Sequence, residues 1–325
     1  MSEISDMEKR VHKEREKQYA YNSCQNWQRI YDQSLEHNYS VSKLPSANGA
    51  PALILGSGPS LDDCIEYVSS FQGLIFASLS QVNILEKFGI KPNFLVAMDS
   101  VTDAADVLSD YHTNLVDTTL LTFPGISPKV LEKWGPRKVR YFLLTEDRLD
   151  EARFPWIESK YPMMGCITNM AMLLADTIGC NPLVLAGVDF CYPDGRKRAQ
   201  DYRHRGPFIF EPKPIEYVQT QPGKTSTSQE QIFYAALTYA LWKSFRLNLV
   251  RVGDKSALDL IPSIKPEDLG GKLDFKLDPP NDAAIDEFTK ELGIYCDTTG
   301  GKIQIHYKDR DIAEGGKWAD FWGEP

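Results

Sequence analysis

Ala52-Leu53-Ile54-Leu55-Gly56-Ser57-Gly58-Pro59-Ser60 is a short apolar run that breaks into a glycine turn, and Asp63 follows Ser60 at the spacing of a capped helix start. Strand, glycine turn and helix in that order open an α/β unit. Two glycines let the backbone bend closely around a guest, and the unpaired N–H groups of a helix's first turn favour negative charge. The expected guest is a phosphate, bordered by Gly56, Ser57, Gly58, Pro59 and Ser60. The bland alternative is a Gly-Pro pair that only turns the chain. Leu61 stands where a dinucleotide fingerprint has its third glycine, and the Gly-Lys-Ser/Thr ending of a nucleoside triphosphate loop is missing.

On either side of this stretch, short apolar runs alternate with longer amphipathic ones, the pattern of an α/β, Rossmann-like domain with a largely parallel sheet. Strands are expected near 52–55, 74–78, 94–98, 119–122, 139–143, 183–186 and 247–252, and helices over 61–70, 82–88, 128–134, 169–178 and 229–245. Residues 5–36 are rich in Glu, Lys, Arg and Gln, with Val11, Tyr19, Trp27, Ile30, Tyr31 and Leu35 as spaced apolar positions. They read as a helix that docks on the main domain or joins two copies as a homo-oligomer. Three parts follow: a helical lead-in and linker over 1–45, a nucleotide-binding domain over 46–270 carrying a basic insert at 190–228, and a C-terminal extension over 271–325.

With 325 residues, 42% of them hydrophobic, the chain can bury a full core. Its 36 Lys and Arg against 45 Asp and Glu give a net charge of −9, which draws neither nucleic acid nor anionic lipid in general. Any bound anion must be attracted by a local site. No apolar run is long enough for a membrane span. The six cysteines form no C-x-x-C pair, and the start MSEISDMEKR carries no apolar signal stretch, so a cytoplasmic location is expected.

In open parallel sheets, ligands lie beyond the carboxyl ends of the strands. There the sequence places Ser57 and Ser60 after the first strand, Ser80 and Asn83 after the second, Asp99 and Ser100 after the third, and Gly187-Val188-Asp189 after the sixth. The hydroxyls and amides suit ribose, base or phosphate, while Asp99 and Asp189 could accept from sugar hydroxyls or help hold a metal. The same residues would also serve as ordinary caps and turn closers. Between 195 and 224 the insert holds seven Arg or Lys against Asp201, Glu211 and Glu216, interleaved with Tyr202, Phe208, Phe210 and Tyr217. Such a segment either folds over the site, where Arg203 and Arg205 would meet phosphate or carboxylate oxygens, or is a solvated loop. His204 lies within it as a candidate proton acceptor, or as a ligand-contacting or solvent-facing group. Thr225-Ser226-Thr227-Ser228, with Thr227 three residues before Glu230, reads as a second capped start, and the hydroxyls of Thr225 and Ser226 could bind another anion. Thr168 is the expected cap of the helix before 178. No zinc-ligand pattern and no G-x-S-x-G elbow is present.

Four segments together resemble the MptE-like family: 53–62, then 89–94 leading to Met98-Asp99, then 165–179 leading to Leu185-Ala186-Gly187-Val188-Asp189-Phe190, and 248–260. That family, formerly a domain of unknown function, includes the archaeal 6-hydroxymethylpterin pyrophosphokinase and the bacterial motility accessory factors of flagellin glycosylation. The G-x-G-P-S-L and G-[VI]-D-F elements are also similar to those of bacterial sialyltransferases that use CMP-sialic acid, from which Cys191-Tyr192 departs slightly. The sialyltransferase resemblance implies a nucleotide-sugar donor, a hydroxyl acceptor, a nucleotide phosphate bordered by Gly56, Gly58, Pro59 and Ser60, and His204 as general base. The pterin-enzyme resemblance implies instead Mg2+-assisted diphosphate transfer from ATP to a hydroxymethyl group, with Asp99 and Asp189 on the metal side. A third class remains open, a noncatalytic nucleotide-binding or scaffold protein, with the N-terminal helix as an assembly element.

Overall fold

A computed structural model describes residues 2–36, 39–100, 102–108, 115–145, 147–196, 198–199, 216–271, 279–290, 294–297 and 304–307. Its centre is an eight-stranded, all-parallel sheet. The strands are β1 (Ala52–Leu55), β2 (Leu74–Ser78), β3 (Phe94–Ala97), β4 (Thr119–Thr122), β5 (Val139–Tyr141), β8 (Leu183–Ala186), β11 (Leu249–Val252) and β12 (Ser263–Ile264), in the spatial order β12-β11-β8-β1-β2-β3-β4-β5. From β1 the chain builds outward in one direction as far as β5. It then crosses back and lays β8 on the other side of β1, so the winding reverses between β1 and β8. A crevice at such a reversal is where a doubly wound sheet takes its ligand.

Strands β1, β4, β8 and β11 are buried at every residue, as parallel strands covered by helices on both faces must be. The covering helices are α2 (Leu61–Val68), α3 (Val82–Lys87), α4 (Pro128–Trp134), α6 (Ile167–Thr177) and α7 (Gln229–Phe245). In α6, Met170 to Ala175 are all buried, so Met170 and Met172 are core filler. The polar contact between α6 and α7 is closed internally: the Thr238 hydroxyl donates to Asn169 Oδ1 at 2.6 Å and Asn169 Nδ2 donates to the Tyr234 carbonyl at 3.2 Å.

The expected strands and helices are all present, with boundary shifts. The run 139–143 divides after Tyr141, and β6 (Leu143–Leu144) pairs with β7 (Lys160–Tyr161) in a separate parallel ladder. The short helix α5 (Arg148–Arg153) and the edge strand β12 were not anticipated. The end of the insert is a hairpin, β9 (Glu216–Thr220) and β10 (Gly223–Thr227), where a loop was expected. Its polar sequence carries no apolar alternation to betray a strand.

Helix α1 (Ser2–Glu36) docks on the rim of the sheet: Ile30 is fully buried, Tyr19 meets Phe123 edge-to-face at 5.2 Å, and the Tyr141 hydroxyl donates to Gln33 at 2.9 Å. In the C-terminal extension, α8 (Asp282–Lys290) packs on α7 through buried Ile285, the Tyr239–Phe288 edge contact, the bidentate Arg246–Asp282 pair at 2.8 and 2.7 Å and the Lys243–Asp286 pair. A second hairpin, β13 (Ile294–Asp297) with β14 (Gln304–Tyr307), lies against α7. Among the described residues no helix is long and apolar enough to cross a membrane.

Candidate active site

The glycine turn after β1 and the Gly187-Val188-Asp189 turn after β8 lie directly on one another at the winding reversal. The Gly58 amide donates to the Gly187 carbonyl at 2.8 Å and the Gly56 amide to Ala186 at 2.7 Å. A side-chain carbon on Gly56 would run into the Gly187 carbonyl oxygen, and one on Gly58 into the Asp189 carboxylate. The glycines are therefore required by the packing of two turns, where the sequence suggested room for a guest. Asp189, 3% exposed, accepts from the Ser60 amide at 2.9 Å and, through its other oxygen, from the Ser60 hydroxyl. Ser60 itself has helical backbone angles and makes no side-chain cap, which corrects the capped start expected there. A carboxylate from the far turn supplies the cap. Burial pushes the Asp189 carboxyl up to about 6, and the two bonds from Ser60 oppose that rise.

Six of the amides expected to cradle a phosphate are thus spent: 56, 58 and 60 as described, and 61, 62 and 63 on the carbonyls of Gly58, Pro59 and Ser60. Ser57 is the one residue of the turn that is half-exposed. Its hydroxyl lies 3.3 Å from that of Ser80, which in turn lies 2.6 Å from that of Ser78, so three hydroxyls bridge the ends of β1 and β2. Gln81 holds them in place, accepting from the Ser78 amide at 2.7 Å and donating to the Gly56 carbonyl at 2.6 Å. Asn83, one turn on, is exposed on α3. Gln81 lies in the polar run after the second strand, but the part played by Ser78 was missed, although Ser78-x-x-Gln81 has the spacing of a capping box, which would have found it.

Two cations flank α2. Arg196 donates to Asp62 at 2.7 Å and to the Pro59 carbonyl at 3.3 Å, and Lys255 pairs with Asp63 at 2.8 Å, which holds the lysine pKa above its usual value. The Ala199 amide reaches the Ser57 carbonyl at 3.0 Å, so the start of the insert lies against the glycine turn. Its end returns to the same place: Tyr192 donates its amide to the Ser226 carbonyl at 2.8 Å, and the Thr225 and Thr227 hydroxyls donate to the carbonyls of Tyr192 and Phe190 at 3.2 and 2.8 Å. Thr225 and Ser226 therefore stitch the insert down. The cap of α7 is Ser228, accepting from Gln231, one residue later than expected, and that of α6 is Cys166 rather than Thr168. Arg203, His204 and Arg205 lie outside the described residues.

Lys255 belongs to a loop fixed from below. Ser256 donates to the Val188 carbonyl at 2.6 Å, the Ala257 amide to the Asp189 carbonyl at 2.7 Å, and Arg251, 1% exposed, donates Nε to the Ile261 carbonyl at 3.0 Å. Asp99 sits exposed at the end of β3. Three strand spacings separate β3 from β8, about 14 Å, so Asp99 and Asp189 cannot ligate one metal ion. With both oxygens of Asp189 engaged by Ser60 as well, this pair does not fit the Mg2+ site that the pterin-enzyme resemblance implied. Among the described residues no three His, Cys, Asp or Glu side chains come together as a metal-holding group.

A protein-family model described as 6-hydroxymethylpterin diphosphokinase MptE-like matches residues 22–195. The match takes in both turns, the serine cluster, Asp99 and Asp189, and ends at the start of the insert. Among solved structures, the MAf glycosyltransferase from Magnetospirillum magneticum AMB-1 is similar with a TM-score of 0.55 and 18% identity, over 87% of this chain and 40% of that one. At that identity the likeness is one of fold, and this chain spans well under half of the neighbour's length. No curated protein matches the sequence.

Proposed function

The chain belongs to the MptE-like family, and from that membership, together with its sialyltransferase-like G-x-G-P-S-L and G-[VI]-D-F elements and its basic insert, we propose that it is a transferase acting on a nucleotide-activated donor, of the glycosyltransferase type, which moves an acidic sugar from a CMP-sugar to a hydroxyl acceptor. The observation that carries this reading is the serine cluster at the winding reversal, with hydroxyls of Ser57 and Ser80 half-open beside the two stacked turns. Hydroxyls so placed can hydrogen-bond the phosphate or ribose oxygens of the donor. In the reaction the acceptor oxygen attacks the anomeric carbon, the bond from that carbon to the CMP phosphate breaks, and the acceptor proton passes to a base, the role assigned to His204. Negative charge then grows on departing CMP, where the cations of the insert and Lys255 would stabilise it. The glycosyltransferase fold of the solved neighbour supports this reading.

The test is release of CMP from CMP-sialic or CMP-pseudaminic acid, with and without a hydroxyl acceptor, alongside calorimetric titration of CMP, CDP, UDP, GDP, ADP and ATP. Acceptor-stimulated CMP release is the expected result. Failure to bind or turn over any CMP-sugar would overturn it.

The description of the matched family favours a second reading, diphosphate transfer from ATP to a hydroxymethyl-pterin-like substrate. AMP formation from ATP, magnesium and such a pterin measures it directly. Nucleotide binding without any turnover would point to the noncatalytic alternative.

A further inference from the structure

Beside its apolar contacts, helix α1 meets the exits of β3 and β4 through two buried asparagines. Asn22 and Asn26 lie one turn apart and are 1% and 3% exposed. Asn22 Nδ2 donates to the Ser100 carbonyl at 2.8 Å and the Gly125 carbonyl at 3.0 Å; Asn26 Nδ2 donates to the Pro124 carbonyl at 2.9 Å and the Ile126 carbonyl at 2.8 Å. Each amide group has two protons to give, and each gives both. The Oδ1 of Asn22 accepts in turn from Gln18 at 2.8 Å. These four carbonyls belong to the segments that leave β3 and β4, beyond the last ladder bond, where backbone groups need partners from outside the sheet. Burying an amide is costly unless its bonds are all made.

Both segments converge on Asp99. Its carbonyl accepts from the Ser127 amide at 3.0 Å, and the carbonyl of the next residue, Ser100, is the one that Asn22 holds. The backbone on the C-terminal side of Asp99 is thereby pinned to the β4 exit directly and to α1 through one asparagine, while Asn26 pins the β4 exit itself. The carboxylate is left exposed on a fixed stem. Two strand spacings, about 10 Å, lie between it and the serine cluster's strand β1.

We propose that Asn22 and Asn26 are positioning residues, and that α1 thereby sets Asp99 as the group that receives the acceptor's hydroxyls, leaving the donor to the β8-β1-β2 side. The assignment of acceptor and donor sides rests on the transferase reading; the pinning of the rim by α1 does not. The role differs from a simple docking contact because the two amides hold backbone of the rim where β3 and β4 end, and Ser23 between them independently ties α1 to α5 through Asp150 at 2.6 Å.

Hydrogen exchange by mass spectrometry on the full chain tests the pinning without any ligand. Asn22→Ala with Asn26→Ala is expected to speed exchange at least tenfold in peptides covering 94–100 and 119–127, the Ser127 amide included, while peptides covering 52–55 and 183–186 keep their rates. Unchanged exchange at the rim, or equal acceleration throughout the sheet, would overturn it. Should the double variant fail to fold, Asn22→Ala alone, which leaves Asn26 in place, is expected to raise exchange at 94–100 more than at 119–127, and equal rates in the two would sink the assignment. With a CMP-sugar that turns over, the acceptor KM should rise about tenfold with the donor KM unchanged; a rise in both, or in the donor KM alone, overturns the acceptor role. If no donor turns over, the transferase reading fails while the exchange result still decides the pinning.

Discussion

Asp189 takes both hydrogen bonds that Ser60 can offer, from its amide at 2.9 Å and from its hydroxyl, and so joins the turn after β8 to the first turn of α2. Because both partners are buried, removing the carboxylate leaves two donors without acceptors. Asp189→Ala is expected to lower stability by about 3 kcal/mol in urea unfolding, and Asp189→Asn by less, since an amide oxygen can still accept from the Ser60 backbone. If Asp189→Asn also keeps full turnover, the residue serves the fold and takes no part in proton transfer. Wild-type stability in Asp189→Ala would show that the two turns hold without it.

The stacked turns also predict a sharp size limit. A methyl at Gly56 has the Gly187 carbonyl in its place, and backbone on both sides prevents an easy retreat. Gly56→Ala should therefore cost about 3 kcal/mol, with an unchanged dependence on denaturant. An unshifted urea midpoint would contradict the close contact.

Loss of the rim hydroxyls should affect binding and spare the fold. Ser57→Ala and Ser80→Ala are each expected to weaken the nucleotide found by calorimetry about fivefold, near 1 kcal/mol, with the melting temperature unchanged. Because the two hydroxyls touch, the double variant should lose less than the product of the single losses. Wild-type affinity in both variants would move the donor away from β1 and β2.

The pH dependence of α1 docking follows from Asp150. This carboxyl, 2% exposed, accepts from Ser23 and from Arg153, and burial pushes it up to about 6 against those two bonds. A carboxyl whose pKa is higher in the folded state binds its proton first in that state, so its cost to folding is full above about pH 6 and disappears as pH falls toward the ordinary carboxylate value. The melting temperature of the wild type relative to Asp150→Asn, which cannot ionise, should rise on acidification from pH 7.5 to pH 5. A difference that is flat with pH would mean that Asp150 is not held in this environment.

Much of the fold was open to reading because its signals are local. Pro128 fits the first position of α4, and the buried strands show themselves as apolar runs four or five residues long. The site was less open. Gly56-Ser57-Gly58-Pro59-Ser60 has the composition of an anion cradle, yet the amides of Gly56, Gly58 and Ser60 are claimed by a turn more than a hundred residues further along, a partnership that no local pattern carries. Asn22 and Asn26 look like any polar residues of a charged helix until the carbonyls of Ser100 and Pro124 are seen against them. Arg196 stood out as one charge among seven, and its specific bond to Asp62 depends on where the insert begins to fold back. Polar residues are placed by partners, and partners distant in sequence leave no periodicity.

The position of β1 bears on how the molecule is made. It pairs with β2 on one side and with β8 on the other, and β8 does not exist until residues 183–186 have left the ribosome. While the residues between β2 and β8 are being made, about a third of the chain, the nascent protein carries a fully apolar strand with one bare edge, the condition in which unfinished chains stick to one another. Truncated products that end before residue 183 should need a chaperone to stay dispersed; arrival of β8 covers β1 and passes the bare edge to β8, which stays open until β11 (Leu249–Val252) pairs with it.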